Sequence, residues 1–73
     1  MRYETAQQQF GDNLRRLRSE RGFTQESLAL HCGLHRAYVS ATERGEYNIS
    51  IGNIVHLARA LDVTVSDLVN GIQ

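Results

Sequence analysis

The residues best suited to chemistry in this 73-residue chain lie between Arg36 and Arg44. At about 100° per residue, the spacing of an α-helix, one side of this segment collects small, polar and basic residues. They are Arg36, Ala37, Ser40, Ala41 and Arg44. Short side chains leave room for close approach, and arginine offers a planar fork of donors that suits phosphates and guanine edges. The pattern predicts a surface for close contact with another molecule.

A metal site or an active site is less well supported. Cys32 is close in sequence to His31 and His35, and only His56 remains as a nitrogen donor. Zinc sites generally need four ligands with recognisable spacing, whereas a free cysteine commonly packs as a small apolar residue. No carboxylate pair, nucleophile–base pair or phosphate-binding glycine loop stands out. We therefore expect no metal, no cofactor and no enzymatic activity.

Two short helices joined at Gly33 must position the polar surface. The first, about Gln25–Cys32, begins after Thr24, whose hydroxyl can cap a free backbone N–H. The second, about Arg36–Arg44, ends at Gly45 because glycine adopts a positive φ at little cost. The side of the second helix that packs inward is predicted to be Tyr38, Val39 and Thr42.

Three further helices complete a single all-α domain over residues 1–73. A helix over about Ala6–Arg21 carries an apolar stripe and follows a frayed start at residues 1–5. A helix over about Ile51–Leu61 and a last short helix that begins at Thr64 follow the central pair. The core face of the fourth helix is predicted to be Ile51, Ile54, Leu57, Ala58 and Leu61.

Composition and charge limit the class of protein. The formal net charge is zero, but residues 1–45 carry seven arginines and five acidic residues, whereas residues 46–73 carry one arginine and three acidic residues. A single cysteine excludes an internal disulfide framework, and the chain lacks a run of about 18 apolar residues that would predict a membrane span. The N-terminus lacks the apolar segment of a secretory signal, so we expect a cytoplasmic protein.

An ordered set of short motifs resembles the phage repressor and Cro-like (XRE-type) family of helix-turn-helix DNA-binding domains. The motifs are Thr24-Gln25, Leu28-Ala29, Gly33-Leu34, Val39-Ser40, Glu43-Arg44-Gly45, Asn48, Ser50 and Leu57-Ala58-Arg59-Ala60-Leu61-Asp62-Val63. The resemblance covers about residues 10–71. It implies a compact five-helix bundle of the lambda-repressor-like type, with the helix-turn-helix at helices 2 and 3. The Ile49-Ser50-Ile51 segment and the small size look most like the controller proteins of restriction–modification systems.

The same resemblance implies which residues contact DNA. The recognition helix, about Arg36–Arg44, would enter the major groove. Base contacts are expected from His35, Arg36, Ala37, Ser40 and Ala41. Phosphate contacts are expected from Thr24, Gln25, Arg44, Tyr47 and Asn48. Glu46 should point away from the phosphates, and because alanines read bases weakly, DNA shape should contribute to sequence choice.

An ion pair and a dimer are also expected. The family pattern pairs Arg18 with Glu43, which would tie the first helix to the recognition helix. One such helix reads few base pairs, so we expect a homodimer on an inverted-repeat operator with half-sites ~34 Å apart. The dimer interface is predicted at Val55, Val65, Val69 and Ile72. The alternative is that these four residues complete the core of the monomer.

These features predict a sequence-specific, DNA-binding transcriptional regulator. Its expected partners are double-stranded DNA and a second copy of the chain, with RNA polymerase as a further candidate. The alternative is a protein-interaction module, an antitoxin or adaptor, built on the same fold. Leu30 slightly favours this alternative, because it is apolar where the family usually carries a charge, whereas Arg36 and Gln25 favour DNA.

Overall fold

Five α-helices form the fold of residues 3–73, which are the residues that the computed structural model describes. They are α1 (Tyr3–Glu20), α2 (Gln25–Cys32), α3 (Arg36–Glu43), α4 (Ile51–Leu61) and α5 (Val65–Leu68). No strand occurs among these residues. The helix contacts run in the order α1, α3, α2, α4, α5 and back to α1, so they close around one core. The predicted all-α five-helix bundle is confirmed.

Helix α1 begins three residues earlier than the sequence predicts. Tyr3, Glu4 and Thr5 are helical, so the expected frayed start is wrong for these residues. Met1 and Arg2 lie outside the described residues. Glu4 lies in the first turn, where its negative charge stabilises the helix by interacting with the positive end of the helix dipole. The apolar stripe, which begins at Ala6, carries no information about this turn.

The core combines apolar residues from all five helices. Its buried members are Phe10, Leu14, Leu17, Leu28, Ala29, Cys32, Val39, Leu57, Ala58, Leu61 and Leu68. Ile51 is 79% exposed, so its assignment to the core face of α4 is wrong. It is the first residue of α4, where partial burial begins only at the third residue, Asn53. Val69 and Ile72 pack partly buried against the core. This packing supports the alternative that they complete the monomer.

Asn13 adds a buried polar link that the sequence does not single out. Its side-chain amide donates to the carbonyl oxygens of Leu68, at 2.9 Å, and Asn70, at 2.8 Å. Its own oxygen accepts a hydrogen bond from Gln9 at 3.0 Å. Carbonyls at a helix end lack partners within the helix. Asn13 therefore satisfies the end of α5 and fastens it to α1.

Capping fixes the helix-turn-helix unit of α2 and α3. The Thr24 hydroxyl accepts from the Ser27 backbone N–H at 3.0 Å, and the Ser27 hydroxyl accepts from the Thr24 N–H at 2.8 Å. This is a capping box with serine in the place of the usual acid or amide. Gly33 has φ 69°, and the N–H of Leu34 returns to the Ala29 carbonyl at 2.8 Å. The predicted bounds of α2 are confirmed.

Helix α3 ends at Glu43, one residue before the predicted end, in a Schellman motif. Gly45 has φ 80°, and its N–H donates to the Thr42 carbonyl at 3.1 Å. The N–H of Glu46 donates to the Ala41 carbonyl at 3.0 Å. These two bonds satisfy carbonyls in the last turn and fold the chain back against it. The position of Glu46 is thereby fixed by the backbone.

Gly11 allows α1 and α3 to approach closely. A Cβ at this position would lie 2.4 Å from the carbonyl oxygen of Glu43 and 2.8 Å from that of Thr42. Both of these atoms belong to the backbone of α3, so they cannot move aside without shifting the helix. Gly11 therefore sets the distance between α1 and the end of α3.

Replacing Gly11 with alanine should lower the free energy of unfolding by about 1–3 kcal/mol, because the added methyl forces the two helices apart. The matched control is Gly52→Ala in α4, where a Cβ would meet only the Ser50 hydroxyl, at 4.0 Å. That change should raise stability by roughly 0.5–1 kcal/mol through helix propensity. Urea denaturation measures both, and similar effects of the two changes would contradict the close packing at Gly11.

Candidate nucleic-acid interface

The outer face of α3 is narrower than the sequence predicts. Arg36 and Ala37 are exposed and Ser40 is half-buried. Ala41 is only 7% exposed, so its placement on the open side is wrong. The reason is that α3 packs against both α1 and α2, which together cover more than one side of the helix. A buried alanine offers little surface to a base.

The inward side of α3 packs as predicted. Val39 and Thr42 are buried and Tyr38 is half-buried. The Thr42 hydroxyl donates to the Tyr38 carbonyl at 2.7 Å, which satisfies the polar group that this position brings into the core. The Tyr38 hydroxyl accepts from the Asn53 amide at 3.0 Å and so links α3 to α4.

A buried carboxylate, Glu43, joins the recognition helix to the rest of the fold. Its side chain is fully buried, and that of Arg18 is 13% exposed. Arg18 donates through Nε to one carboxylate oxygen at 2.6 Å and through Nη2 to the other at 3.1 Å. The Arg15 Nε lies 3.6 Å from the same carboxylate. The structure thus contains the Arg18–Glu43 pair expected from the family pattern, in a bidentate geometry.

Gln25 extends this network to the beginning of α2. Its side-chain Nε2 donates to Glu43 at 3.0 Å, and this bond uses one of the two amide hydrogens. Arg18 also donates to the Phe23 carbonyl at 2.8 Å, just before α2. The first residue of α2 is therefore held against the last residue of α3. The predicted phosphate-binding residue Gln25 is positioned by the buried carboxylate.

An open depression of about 450 Å³ lies beside this network. Its lining residues are Arg18, Phe23, Thr24, Gln25, Glu26 and Arg36. It brings together the beginning of α2, where free backbone N–H groups and the positive helix dipole favour an anion, and the beginning of α3. Three predicted DNA-contacting residues, Thr24, Gln25 and Arg36, therefore share one concave surface.

At the other end of α3, Arg44 is bound within the protein. Its Nε and Nη2 donate to the Glu46 carboxylate at 2.8 and 3.2 Å, and its Nη1 donates to the Ser40 hydroxyl at 2.6 Å. The hydrogen bond from Arg44 lowers the pKa of Glu46, and the same bond raises the pKa of Arg44. Glu46 is expected to point away from the phosphates. In the structure its carboxylate lies against Arg44, a predicted phosphate contact, because the Schellman motif returns the chain to that residue.

The remaining predicted contact residues lie just outside the two ends of α3. Tyr47 is 47% exposed, and its ring centroid lies 5.1 Å from that of Tyr38. Asn48 is exposed. His35 is also exposed and occupies the N-cap position of α3 without a side-chain capping bond. Its imidazole is therefore not committed to capping the helix.

The cysteine and histidine residues are not arranged as a metal site in residues 3–73. No group of three or more His, Cys, Asp or Glu side chains in this part of the chain could hold a metal ion. Cys32 is buried, and burial raises the pKa of its thiol. The His56 Nε2 forms a hydrogen bond with the Cys32 carbonyl. No helix among these residues is long and apolar enough to cross a membrane.

Known proteins share this fold and much of its sequence. Residues 14–68 match the helix-turn-helix family HTH_3. The chain belongs to this family. The predicted family resemblance is confirmed, and the matched segment contains the central pair α2 and α3 together with α4 and α5.

Several relatives of this HTH_3 protein are controller proteins. Control protein C.BamHI of Bacillus amyloliquefaciens is 44% identical over 62 residues, which cover 84% of this chain and 76% of that protein. The structure of the restriction–modification controller protein C.AhdI from Aeromonas hydrophila superimposes with a TM-score of 0.84 at 45% identity, covering 88% of this chain and 97% of that one. The controller protein C.Esp1396I, solved as a tetramer with its natural 35 base-pair operator, gives a TM-score of 0.75 at 30% identity, covering 81% and 78%. The narrower resemblance to controller proteins is confirmed.

Neutralising Glu43 should lower the free energy of unfolding far more than neutralising an exposed glutamate that pairs with an arginine. Glu43→Gln leaves the nearly buried Arg18 without a counter-charge and should cost roughly 3–5 kcal/mol of unfolding free energy. The matched control is Glu20→Gln, which removes an exposed pair with Arg16 at 3.4 Å and should cost less than about 1 kcal/mol. Denaturant titration measures both. Comparable losses would show that the Glu43 network does not hold the helices together.

Proposed function

We propose that this chain is a sequence-specific DNA-binding transcriptional regulator that binds an inverted-repeat operator as a homodimer. The observation that carries the proposal is the concave surface where the beginning of α2 meets the beginning of α3, with Thr24, Gln25 and Arg36 on one side of the molecule. The operator complex of C.Esp1396I supports it, because that protein shares the fold and 30% of the aligned residues.

The geometry fits a helix that enters the major groove by its N-terminal end. In this kind of docking, the first residues of the recognition helix meet the base edges. Arg36 and Ala37 are exposed in the first turn of α3, and both precede the half-buried Ser40. Arg36 is the natural base reader, since its guanidinium can donate two hydrogen bonds to a guanine. Ala37 offers a methyl group to a thymine.

The beginning of α2 is suited to a backbone phosphate. Contacts with phosphates set the register of a protein on the duplex, whereas base contacts specify the sequence. Gln25 retains an amide hydrogen beyond its bond to Glu43, and α2 adds free N–H groups next to it. Because α2 and α3 are joined through Glu43, the phosphate contact would hold Arg36 at a fixed depth in the major groove.

A dimer supplies the specificity that one recognition helix lacks. The net charge of zero predicts weak non-specific attraction, so the binding energy must come from matched contacts at two half-sites. Of the predicted interface residues, Val65 is 39% exposed and Val55 is half-buried, while Val69 and Ile72 serve the monomer core. We place the centre of the interface on α4, where Ile51 and Val55 are one turn apart.

As such a regulator, the protein would act in the cytoplasm, without a cofactor or catalytic activity. It would alter transcription by excluding RNA polymerase from a promoter or by contacting it.

The protein-interaction module remains a second candidate because of one observation. Leu30 is 77% exposed on α2, although it is a large apolar residue. A partner protein that covers Leu30 would explain this exposure without any contact with DNA. The DNA proposal assigns Leu30 no role.

Arg36→Ala should remove the guanine preference of the protein in selection from a random duplex pool. The substitution should weaken binding to the wild-type operator by roughly 1–3 kcal/mol, the worth of one bidentate base contact. Arg16→Ala, which removes an exposed arginine from α1, is the control for lost charge. It should leave the selected sequence unchanged. If wild type enriches no inverted repeat, the regulator proposal fails and a protein partner at Leu30 becomes the leading explanation.

Ile51→Asp should dissociate the dimer, because symmetry brings two buried carboxylates into one interface. We expect the dimer dissociation constant from analytical ultracentrifugation to rise by at least about tenfold. Leu30→Asp is the matched control, since the two side chains are 79% and 77% exposed in the monomer. A dimer weakened by Leu30→Asp but not by Ile51→Asp would move the interface to α2.

A further inference from the structure

The Glu46 carboxylate binds the guanidinium of Arg44, a residue just after α3 that is expected to contact a DNA phosphate. All three nitrogen atoms of Arg44 have acceptors within the protein, two in the Glu46 carboxylate and one in the Ser40 hydroxyl. Ser40 lies one turn before Arg44 on the outer face of α3. Arg44 therefore lies along the proposed DNA-binding face. Glu46 takes its side-on pair of donors, Nε–H and one Nη2–H, and two of its five N–H groups, one on each Nη atom, remain without an acceptor in the described residues.

The backbone places Glu46 in this position. The N–H of Glu46 closes the Schellman motif on the Ala41 carbonyl, and Gly45 supplies the left-handed residue that the motif needs. A Cβ on Gly45 would lie 2.8 Å from the Gln8 side chain, so the turn is also packed against α1. The turn thus holds the backbone of Glu46 next to Arg44, with its carboxylate within hydrogen-bond distance of the guanidinium.

The pair remains open to exchange with another anion. The side chains of Arg44 and Glu46 are 52% and 56% exposed. Exposed ion pairs are weak because water and salt screen both charges. A DNA phosphate presents the same paired oxygen acceptors to a guanidinium as a carboxylate does. Glu46 and a phosphate can therefore compete for the same donors.

We propose that Glu46 is an intramolecular competitor of DNA phosphate for Arg44 and thereby holds down the DNA affinity of this chain. The inference rests on the proposed function, since it concerns the regulation of the same surface. A phosphate can take the side-on pair of Arg44 donors, Nε–H and Nη2–H, only if the Glu46 bonds break. The released carboxylate then faces the phosphate backbone with its charge no longer paired. Both effects oppose binding, and both act on any DNA sequence because phosphates carry no sequence information.

The test uses a fluorescently labelled random-sequence duplex, because phosphate contacts need no operator. In fluorescence anisotropy, Glu46→Gln should bind this duplex about three- to tenfold more tightly than wild type at low salt. The slope of log affinity against log salt should steepen by about one, the contribution of one additional phosphate contact. The matched control is Glu20→Gln, which removes one charge from an exposed arginine pair of almost equal accessibility, 52% and 57%.

A double-mutant cycle separates competition from simple repulsion. In an Arg44→Ala background there is no guanidinium to release. Glu46→Gln should therefore raise the affinity for the duplex clearly less than it does in wild type. Repulsion alone predicts the opposite, because Glu46 is unpaired in that background and repels phosphates more strongly. Thermal unfolding by circular dichroism checks that all variants are folded at the temperature of the binding experiment.

The outcomes separate this inference from the proposed function. If wild type binds the duplex and Glu46→Gln behaves like Glu20→Gln, the competition is wrong and the DNA-binding proposal stands. The same conclusion follows if the gain from Glu46→Gln is undiminished without Arg44. If no variant binds the duplex at low salt, the inference is overturned, whereas the proposed function fails only if wild type also enriches no inverted repeat from the random pool.

Discussion

One buried carboxylate determines how the candidate surface is assembled. The Glu43 side chain is fully buried and receives contacts from Arg18 and Arg15 on α1 and from Gln25 on α2. A buried charge is costly unless it is paired and hydrogen-bonded. Arrangements of the helices that do not bring these donors to Glu43 are therefore strongly disfavoured. The relative orientation of α2 and α3, and with it the shape of the concave surface, depends on this group.

The two ends of α3 consequently have different properties. The C-terminal end is fixed by Glu43, by the close approach of α1 at Gly11 and by the Schellman motif at Gly45. The N-terminal end begins at His35 without a side-chain cap and exposes Arg36. A helix that is anchored at its end and open at its beginning suits a docking mode in which the first turn reads the groove. Anchoring and base reading are thus assigned to opposite ends of one short helix.

The sequence predicts what local chemistry decides. The capping box at Thr24 and the turn at Gly33 depend on residues a few positions apart, so the bounds of α2 follow from the local sequence alone. The burial of Ala41 depends on two other helices that cover α3, which the helical spacing of α3 does not contain. The pattern likewise predicts an interface role for Ile72, because the sequence does not show how the chain after α5 returns to the core. The position of Glu46 required the geometry of the backbone turn.

The most direct test of this DNA-binding surface is a map of backbone amide shifts in the nitrogen-15-labelled protein as the duplex that it selects is added. We expect the perturbed amides to cluster at the beginning of α2 and along the outer face of α3, including those of Gln25, Arg36 and Ala37. Because both elements are joined through Glu43, the two sets should change together over the titration. Perturbations centred on Leu30, or confined to α5, would contradict the assignment of the DNA-binding surface.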